Sequence, residues 1–112
     1  MKAKVLVVVS SGREAKEKAL TGLMYATNAV RNNWADVKLI LFGPVEDLVA
    51  ENDPDTVSMI EEYSRLSEKP LACRRIAEMK NYVEKIEDKT DAVYVGKIIS
   101  DLIAEGYTPL VF

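Results

Sequence analysis

Short apolar runs alternate with helical patterns along most of this chain, and that alternation limits the folds it can adopt. Residues 4–9 and 37–42 are predominantly apolar runs of strand length, and turn signals follow them at residues 10–12 and 43–44. A run without polar alternation is typical of a strand buried on both faces of a sheet. Because helical patterns separate these runs, we predict a mainly parallel sheet with helices packed on both faces.

The later segments continue this alternation and predict three more strands, at residues 70–73, 92–95 and 110–112. A proline follows Asp53, which predicts a helix that begins there with Asp53 as its N-cap. The predicted fold class is α/β, a three-layer α/β/α sandwich with a five-stranded, mainly parallel sheet and right-handed crossovers. With no linker or internal repeat, residues 1–112 are expected to form a single domain.

Helical stripes fill the segments between these strands. In each stripe, apolar residues recur at intervals of three and four, which places them on one face of a helix. A single helix is expected between the third and fourth strands. The residues on these faces are Leu20, Leu23, Met24, Thr27 and Val30 in the first helix, Met59, Ile60, Tyr63 and Leu66 after Asp53, Ile76, Met79, Val83 and Ile86 after the third strand, and Ile98, Ile99, Leu102 and Ile103 in the last helix.

The composition restricts the partners and the compartment. A net charge of −3 and the lack of a basic stripe argue against binding to nucleic acid or to an anionic membrane. The longest purely apolar run, residues 5–9, is too short for a transmembrane helix or a signal peptide. A single cysteine excludes an internal disulfide and suits a reducing compartment, so we expect a cytoplasmic protein. The absence of glutamine and the abundance of Lys, Glu and Arg suggest a heat-adapted source.

Missing residue types exclude several kinds of catalysis. The chain has no histidine, which excludes a Ser-His-Asp triad, a Cys-His pair and any histidine-ligated metal within one chain. One cysteine alone cannot hold an iron–sulfur cluster. Neither of the two common glycine-rich phosphate motifs, GxxxxGK(S/T) and GxGxxG, is present. We therefore expect no metal site and no resident cofactor.

The predicted fold brings polar residues to one edge of the sheet. Open parallel sheets bind ligands where the carboxyl ends of the strands meet. Cys73 ends the third predicted strand, where a helix dipole and the two arginines that follow would stabilise a thiolate. The candidate catalytic residue is therefore Cys73, and the candidate anion- or substrate-binding residues are Arg74, Ser10, Ser11, Gly12, Gly43 and Lys97.

The positions of Cys73 and of residues 10–12 in the predicted fold each allow two interpretations. A thiol beside fixed positive charges suits a nucleophile, but free cysteine is also among the most buried residue types, so Cys73 could be structural. Residues 10–12 could hold a nucleotide or flavin phosphate, or they could form an ordinary turn that begins a helix.

Several stretches of the chain also resemble one known family. They are KVLVVVSSG at residues 4–12, ALTGLMYATNAV at 19–30, VKLILFGPVEDLVAEN at 37–52, KPLAC at 69–73 and LIAEGYTPLVF at 102–112. In this order and spacing, the whole chain resembles the DsrE/DsrF-like family, which includes the TusD-type sulfur-relay proteins. Cys73 falls at the position of the cysteine that carries a persulfide in the sulfur-transfer members.

The resemblance implies a small cytoplasmic protein that transfers sulfur by carrying a persulfide on Cys73. Its partners would be sulfur donor and acceptor proteins, and it would form a homo-oligomer, either a trimer or a hexamer. Small polar residues commonly follow this cysteine in the family, whereas Arg74 and Arg75 follow it here. The alternatives are a flavodoxin-like module that binds a nucleotide or flavin phosphate, and a non-catalytic oligomeric subunit.

Overall fold

Five parallel strands form a single sheet in the computed structural model, which describes residues 2–112. The order of the strands across the sheet is β4-β3-β2-β1-β5, and every neighbouring pair is parallel. The predicted five-stranded parallel sheet is therefore confirmed. The strands are β1 (Ala3–Val9), β2 (Ala35–Leu41), β3 (Leu71–Cys73), β4 (Asp91–Val93) and β5 (Thr108–Val111).

Helices connect these strands and cover both faces of the sheet. A short 3₁₀ turn at Arg13–Ala15 precedes the first helix. No helix within residues 2–112 has both the length and the hydrophobicity that crossing a membrane requires. The helices are α1 (Lys16–Arg31), α2 (Val45–Ala50), α3 (Pro54–Leu66), α4 (Arg74–Met79), α5 (Val83–Ile86) and α6 (Val95–Ala104).

The two faces of the sheet carry separate apolar cores. Successive side chains of a strand point to opposite faces, so β1 contributes to both cores. Val7 and Val9 pack with buried residues of α1 to α5 on one face. Leu6 and Val8 pack with Val95 and Leu102 of α6 on the other face. The structure is thus the predicted three-layer α/β/α sandwich, with five helices in one outer layer and α6 in the other.

The helix predicted to begin after Asp53 starts at Pro54, as expected. The Asp53 carboxylate accepts a hydrogen bond of 3.1 Å from the backbone N–H of Thr56 and one of 2.8 Å from its hydroxyl. These bonds satisfy a donor that the first turn of a helix leaves free. Leu66 is the last residue of α3 and is exposed, so the prediction that it faces inward is wrong.

The segment between β3 and β4 differs from the prediction of a single helix. It contains two short helices, α4 and α5, because Asn81 between them adopts a left-handed backbone conformation with φ of 56°. Asparagine tolerates this conformation better than most residues. Met79 ends α4 and is 68% exposed. The predicted fourth strand is also shorter than expected, because β4 ends at Val93 and α6 begins at Val95.

The turns after β1 and β2 pack too closely for additional side-chain atoms. A Cβ atom placed on Gly12 would lie 2.5 Å from the carbonyl oxygen of Pro44, and one on Gly43 would overlap the Ser10 hydroxyl. Gly43 also has φ of 143°, a conformation that favours glycine. The Val45 N–H donates a 3.0 Å hydrogen bond to the Ser10 carbonyl. These contacts hold the carboxyl ends of β1 and β2 in a fixed relation.

We predict that Gly43→Ala lowers the free energy of unfolding by about 2–3 kcal/mol, because the new methyl group combines a backbone strain with an overlap at Ser10. Urea denaturation would measure the change. Gly96→Ala is the control: no atom lies within 4 Å of the added Cβ, and the position is helical, so stability should stay equal or rise. Equal stability of Gly43→Ala and the natural protein would contradict the prediction.

Candidate functional site

The turn after β1 uses its backbone donors within the protein. The N–H groups of Ser10 and Ser11 donate to the carbonyl oxygen of Phe112, at 2.7 and 3.2 Å. The N–H of Gly12 donates to both carboxylate oxygens of Glu14, at 2.9 and 3.0 Å. A phosphate placed here would meet the negative charge of Glu14 and donors that are already engaged. Residues 10–12 therefore have the hydrogen bonding of a turn that supports the fold.

Cys73 is buried at the carboxyl end of β3. The residue is 5% exposed and precedes α4 directly. It packs in the core on the α6 face, and the buried members of that core are Leu6, Val8, Ile40, Cys73, Val95 and Leu102. The only cysteine of the chain therefore lies at the expected edge of the sheet, but an apolar shell shields it.

The two predicted cationic residues have carboxylate partners on their own helices. Arg74 donates from Nε to Glu78 at 3.3 Å, and the Tyr94 hydroxyl donates to the same carboxylate oxygen at 2.8 Å. Lys97 donates to Asp101 at 2.8 Å, and its side chain is 85% exposed. Their role as anion- or substrate-binding residues stays a prediction, since each is engaged elsewhere in this conformation.

Glu46, which the sequence analysis did not select, is the buried charged residue of this edge. It lies in the first turn of α2 and is fully buried. Within residues 2–112, neither carboxyl oxygen has a hydrogen-bond partner of good geometry. Burial raises the pKa of Glu46 to about 8, although the nearby backbone N–H groups of Gly43 and Cys73 favour the charged form. Glu46 thus adjoins the ends of both β2 and β3.

A second polar group surrounds Asp47, the next residue of α2. Its carboxylate accepts hydrogen bonds from the Lys80 ammonium at 2.8 and 2.9 Å and from the Tyr82 hydroxyl at 2.8 Å. Burial opposes the ionisation of Asp47, but the hydrogen bonds from Lys80 and Tyr82 lower its pKa overall. Burial and the bond to Asp47 raise the pKa of Tyr82. Asp47 therefore remains ionised and Tyr82 neutral at physiological pH.

The spacing of apolar residues in α2 contains a signal for the burial of Glu46. Glu46 precedes the buried residues Val49 and Ala50 by three and four positions, and such positions share one face of a helix. An acidic residue in the first turn of a helix is usually solvated, because the helix dipole favours it there without burial. Residue type alone therefore does not show which of Glu46 and Asp47 is fully buried.

The structure brings together part of the predicted site. Ser10 lies against Gly43, and Gly43 and Cys73 both adjoin the carboxyl group of Glu46. Arg74 and Lys97 are held by Glu78 and Asp101 on the outer surface. The arrangement at the sheet edge is thus a shielded thiol and a protonatable carboxyl group.

Comparison with solved structures finds the same fold in two bacterial proteins. The E. coli protein YchN superposes with a TM-score of 0.82 at 12% identity, covering 98% of this chain and 99% of YchN. YchN is a protein of DsrE-like fold. A conserved protein of unknown function from Bacteroides thetaiotaomicron, BT1422, superposes with a TM-score of 0.81 at 22% identity, covering 96% of this chain and 94% of that protein. No protein-family model and no curated protein matches the sequence.

These matches extend over nearly the full length of each chain. At such low identity they show the fold and not the chemistry. The resemblance to the DsrE/DsrF-like family is therefore supported at the level of the fold. What the protein does must be argued from the residues at the edge of its sheet.

We predict that ionisation of Glu46 lowers the stability of the natural protein at high pH. Glu46→Gln should not show this decrease. The pKa of Glu46 is about 8 when folded and near the ordinary 4.5 when unfolded. Between these two pKa values, the folded state therefore binds a proton that the unfolded state does not bind. The free energy of unfolding falls as the pH rises through that range. The contribution of Glu46 should fall by about 4 kcal/mol from pH 5 to pH 9.

Urea denaturation of both proteins at several pH values would test this prediction, because the difference between them cancels the other titrating groups. Glu51→Gln is the matched control. Glu51 follows α2, is exposed and pairs with Arg13, so its loss should not change the pH dependence appreciably. Parallel stability curves for Glu46→Gln and the natural protein would show that Glu46 is not held neutral.

Proposed function

We propose that this protein carries sulfane sulfur on Cys73 and passes it from a donor to an acceptor in the cytoplasm. The observation that carries the proposal is the position of Cys73 at the carboxyl end of β3 in a DsrE-like sheet. Ligands of parallel sheets gather at this edge. The adjoining Glu46 adds a group that can hold a proton in the neutral pH range.

Sulfur transfer is an exchange between a thiol and a persulfide in which electrons and protons balance. The Cys73 thiolate attacks the outer sulfur of a donor persulfide, R–S–SH, and a bond forms between the two sulfur atoms. The S–S bond of the donor breaks, its electron pair stays with R–S⁻, and that thiolate takes up the proton that Cys73 released. An acceptor thiolate then attacks the outer sulfur on Cys73, and the Cys73 thiolate leaves. No external oxidant or reductant is needed.

Exposed apolar residues around Cys73 support a protein as donor or acceptor. Phe42 follows β2 and Tyr94 follows β4, and these two strands are the neighbours of β3. Both side chains are exposed, as is Met79 at the end of α4. Apolar and aromatic side chains of this kind are enriched where proteins bind one another. A partner that covers them would lie directly over the end of β3, although the sulfur itself must become accessible through a local movement.

Transfer of one sulfur atom to Cys73 would test the proposal. We expect the native protein to gain the mass of one sulfur atom in an intact mass spectrum after incubation with glutathione persulfide. Cys73→Ser should gain none, since serine is close in size but does not form the persulfide. Circular dichroism of Cys73→Ser would confirm that the fold is retained.

A non-catalytic subunit is the second candidate, and the burial of Cys73 favours it. Iodoacetamide distinguishes the two functions. Alkylation and sulfur uptake of the native protein near neutral pH would support the carrier. A thiol that reacts only after denaturation would support the non-catalytic subunit, and sulfur transfer on Cys73 would then be abandoned.

We also propose that the protein forms a closed homo-oligomer, with a trimer expected and a hexamer as the alternative. Every residue of β5 is exposed, and Val111 is 65% exposed at this outer strand. Trp34 and Met24 add further exposed apolar surface. An uncovered edge strand and large exposed apolar side chains are common at subunit interfaces. Multi-angle light scattering at micromolar concentration should report the trimer or hexamer mass, and a stable monomer would refute the assembly.

A further inference from the structure

Glu46 is a buried carboxyl group that the structure leaves without a well-formed hydrogen bond. Its side chain is fully inside the protein, and no group within residues 2–112 makes a well-formed hydrogen bond to either oxygen. Buried carboxylates are normally paired or hydrogen-bonded, because transfer of a charge from water into the protein interior is costly. A buried and unpartnered carboxyl group is often a functional group, which makes its placement beside Cys73 informative.

Two observations place Glu46 within electrostatic reach of Cys73. The carboxyl group interacts with the backbone N–H of Cys73, and three covalent bonds separate that nitrogen from the sulfur atom. The charges of Glu46 and Cys73 also both act on the hydroxyl of Tyr82. The carboxyl group and the thiol are therefore neighbours at the end of β3, with the carboxyl group near the main chain and the sulfur in the core on the α6 face.

The other charged and titratable groups around Glu46 already have partners. Asp47 of the same helix is paired with Lys80 and Tyr82, which come from the segment between α4 and α5. Arg13, from the turn after β1, acts on Asp47 and is paired with Glu51. Lys80 attracts Glu46 at a distance, but its ammonium group donates to Asp47. No cation thus pairs directly with Glu46 among the residues that the structure describes.

We propose that Glu46 controls the negative charge that Cys73 can carry, so that a neutral Glu46 admits a thiolate or an anionic persulfide and an ionised Glu46 opposes it. Two negative charges that share a buried site repel each other, and ionisation of one group hinders ionisation of the other. Asp47 and Tyr82 do not change their charge in the neutral range, so Glu46 is the group of this cluster that supplies a pH response.

The inference deepens the proposed function, and it rests on that function only where it concerns the persulfide. Below pH 8, Glu46 holds its proton and places no negative charge beside Cys73. Above pH 8, Glu46 carries a negative charge that opposes a second negative charge on Cys73. Linkage between the two groups is reciprocal, so an anionic group on Cys73 must in turn raise the affinity of Glu46 for its proton.

The rate of alkylation of Cys73 by iodoacetamide, measured from pH 6 to pH 10, would test the inference without any sulfur donor. Below pH 7 the natural protein and Glu46→Gln should react at equal rates, since Glu46 is neutral in one and absent in the other. Near pH 9 the variant should react several-fold faster, because it has no carboxylate beside Cys73 to oppose the thiolate. Glu51→Gln, which removes an exposed carboxylate near α2, should follow the natural protein at every pH.

The pH dependence separates this role from a structural one. A variant that merely loosens the protein would react faster by the same factor at every pH, and that result would overturn the inference. Rates that coincide at every pH would overturn it as well. If the profiles diverge as expected but glutathione persulfide adds no sulfur, the control by Glu46 stands and the sulfur-carrier function fails. If sulfur is added and the profiles are parallel, the function stands and the control by Glu46 fails.

A measurement on the natural sequence covers the case in which Glu46→Gln does not fold. Iodoacetate attaches a carboxylate to Cys73, whereas iodoacetamide attaches a neutral amide of similar size. In protein labelled with ¹³C at the glutamate carboxyl groups, the NMR titration of Glu46 should have its midpoint at a higher pH in the carboxymethylated protein than in the amide form. Equal midpoints would show that no electrostatic coupling connects the two residues.

Discussion

Burial of β1 on both of its faces is the constraint on which the rest of this fold depends. Seven residues of β1 pair with β2, and four of them also pair with β5, so its backbone is hydrogen-bonded on both sides. Its side chains enter both cores, with Val7 on one face and Leu6 on the other. Because a single strand joins the two cores, the helices on both faces are positioned relative to the same line of residues.

The candidate site follows from where the strands beside β1 end. Leu41 is the last residue of β2 and pairs with Ala72, so Cys73 extends one residue beyond the end of its neighbour. The chain turns at Gly43, and α2 begins two residues later. Because α2 begins so soon after β2, Glu46 in its first turn is buried close to the end of that strand. The position of the buried carboxyl group beside Cys73 is thus a consequence of unequal strand lengths.

The sequence predicted the fold because its signals are local and agree with one another. The β-branched runs of β1 and β2 exclude most other structures, and Asp53 with Pro54 fixes the start of α3. The break at Asn81 was missed, since a left-handed asparagine changes the direction of the chain without interrupting the apolar pattern. The sequence pattern also does not reveal the length of β4, because Val95 suits either a strand or a buried helical position.

The site was less predictable than the fold because it depends on contacts between distant segments. Cys73 was located correctly at a strand end, since the alternation of elements specifies which residues end strands. The partner of Arg74 was not predicted correctly, because Arg74 pairs with Glu78 on the same helix. The burial of Glu46 could not be predicted, because it depends on how α2 is rotated against the sheet. Val45 and Val49 in the core decide that rotation, and the acidic residue itself does not.

The placement of α6 alone on one face of the sheet also has a consequence for the order in which the molecule is completed. The first ninety or so residues contain four strands and the five helices of the opposite layer, but they leave Leu6, Val8 and Ile40 without a cover. Only when α6 has crossed from β4 at one edge to β5 at the other does the second core close. A partly folded chain in which α6 has not yet docked therefore exposes an apolar surface, and such surfaces promote aggregation during folding.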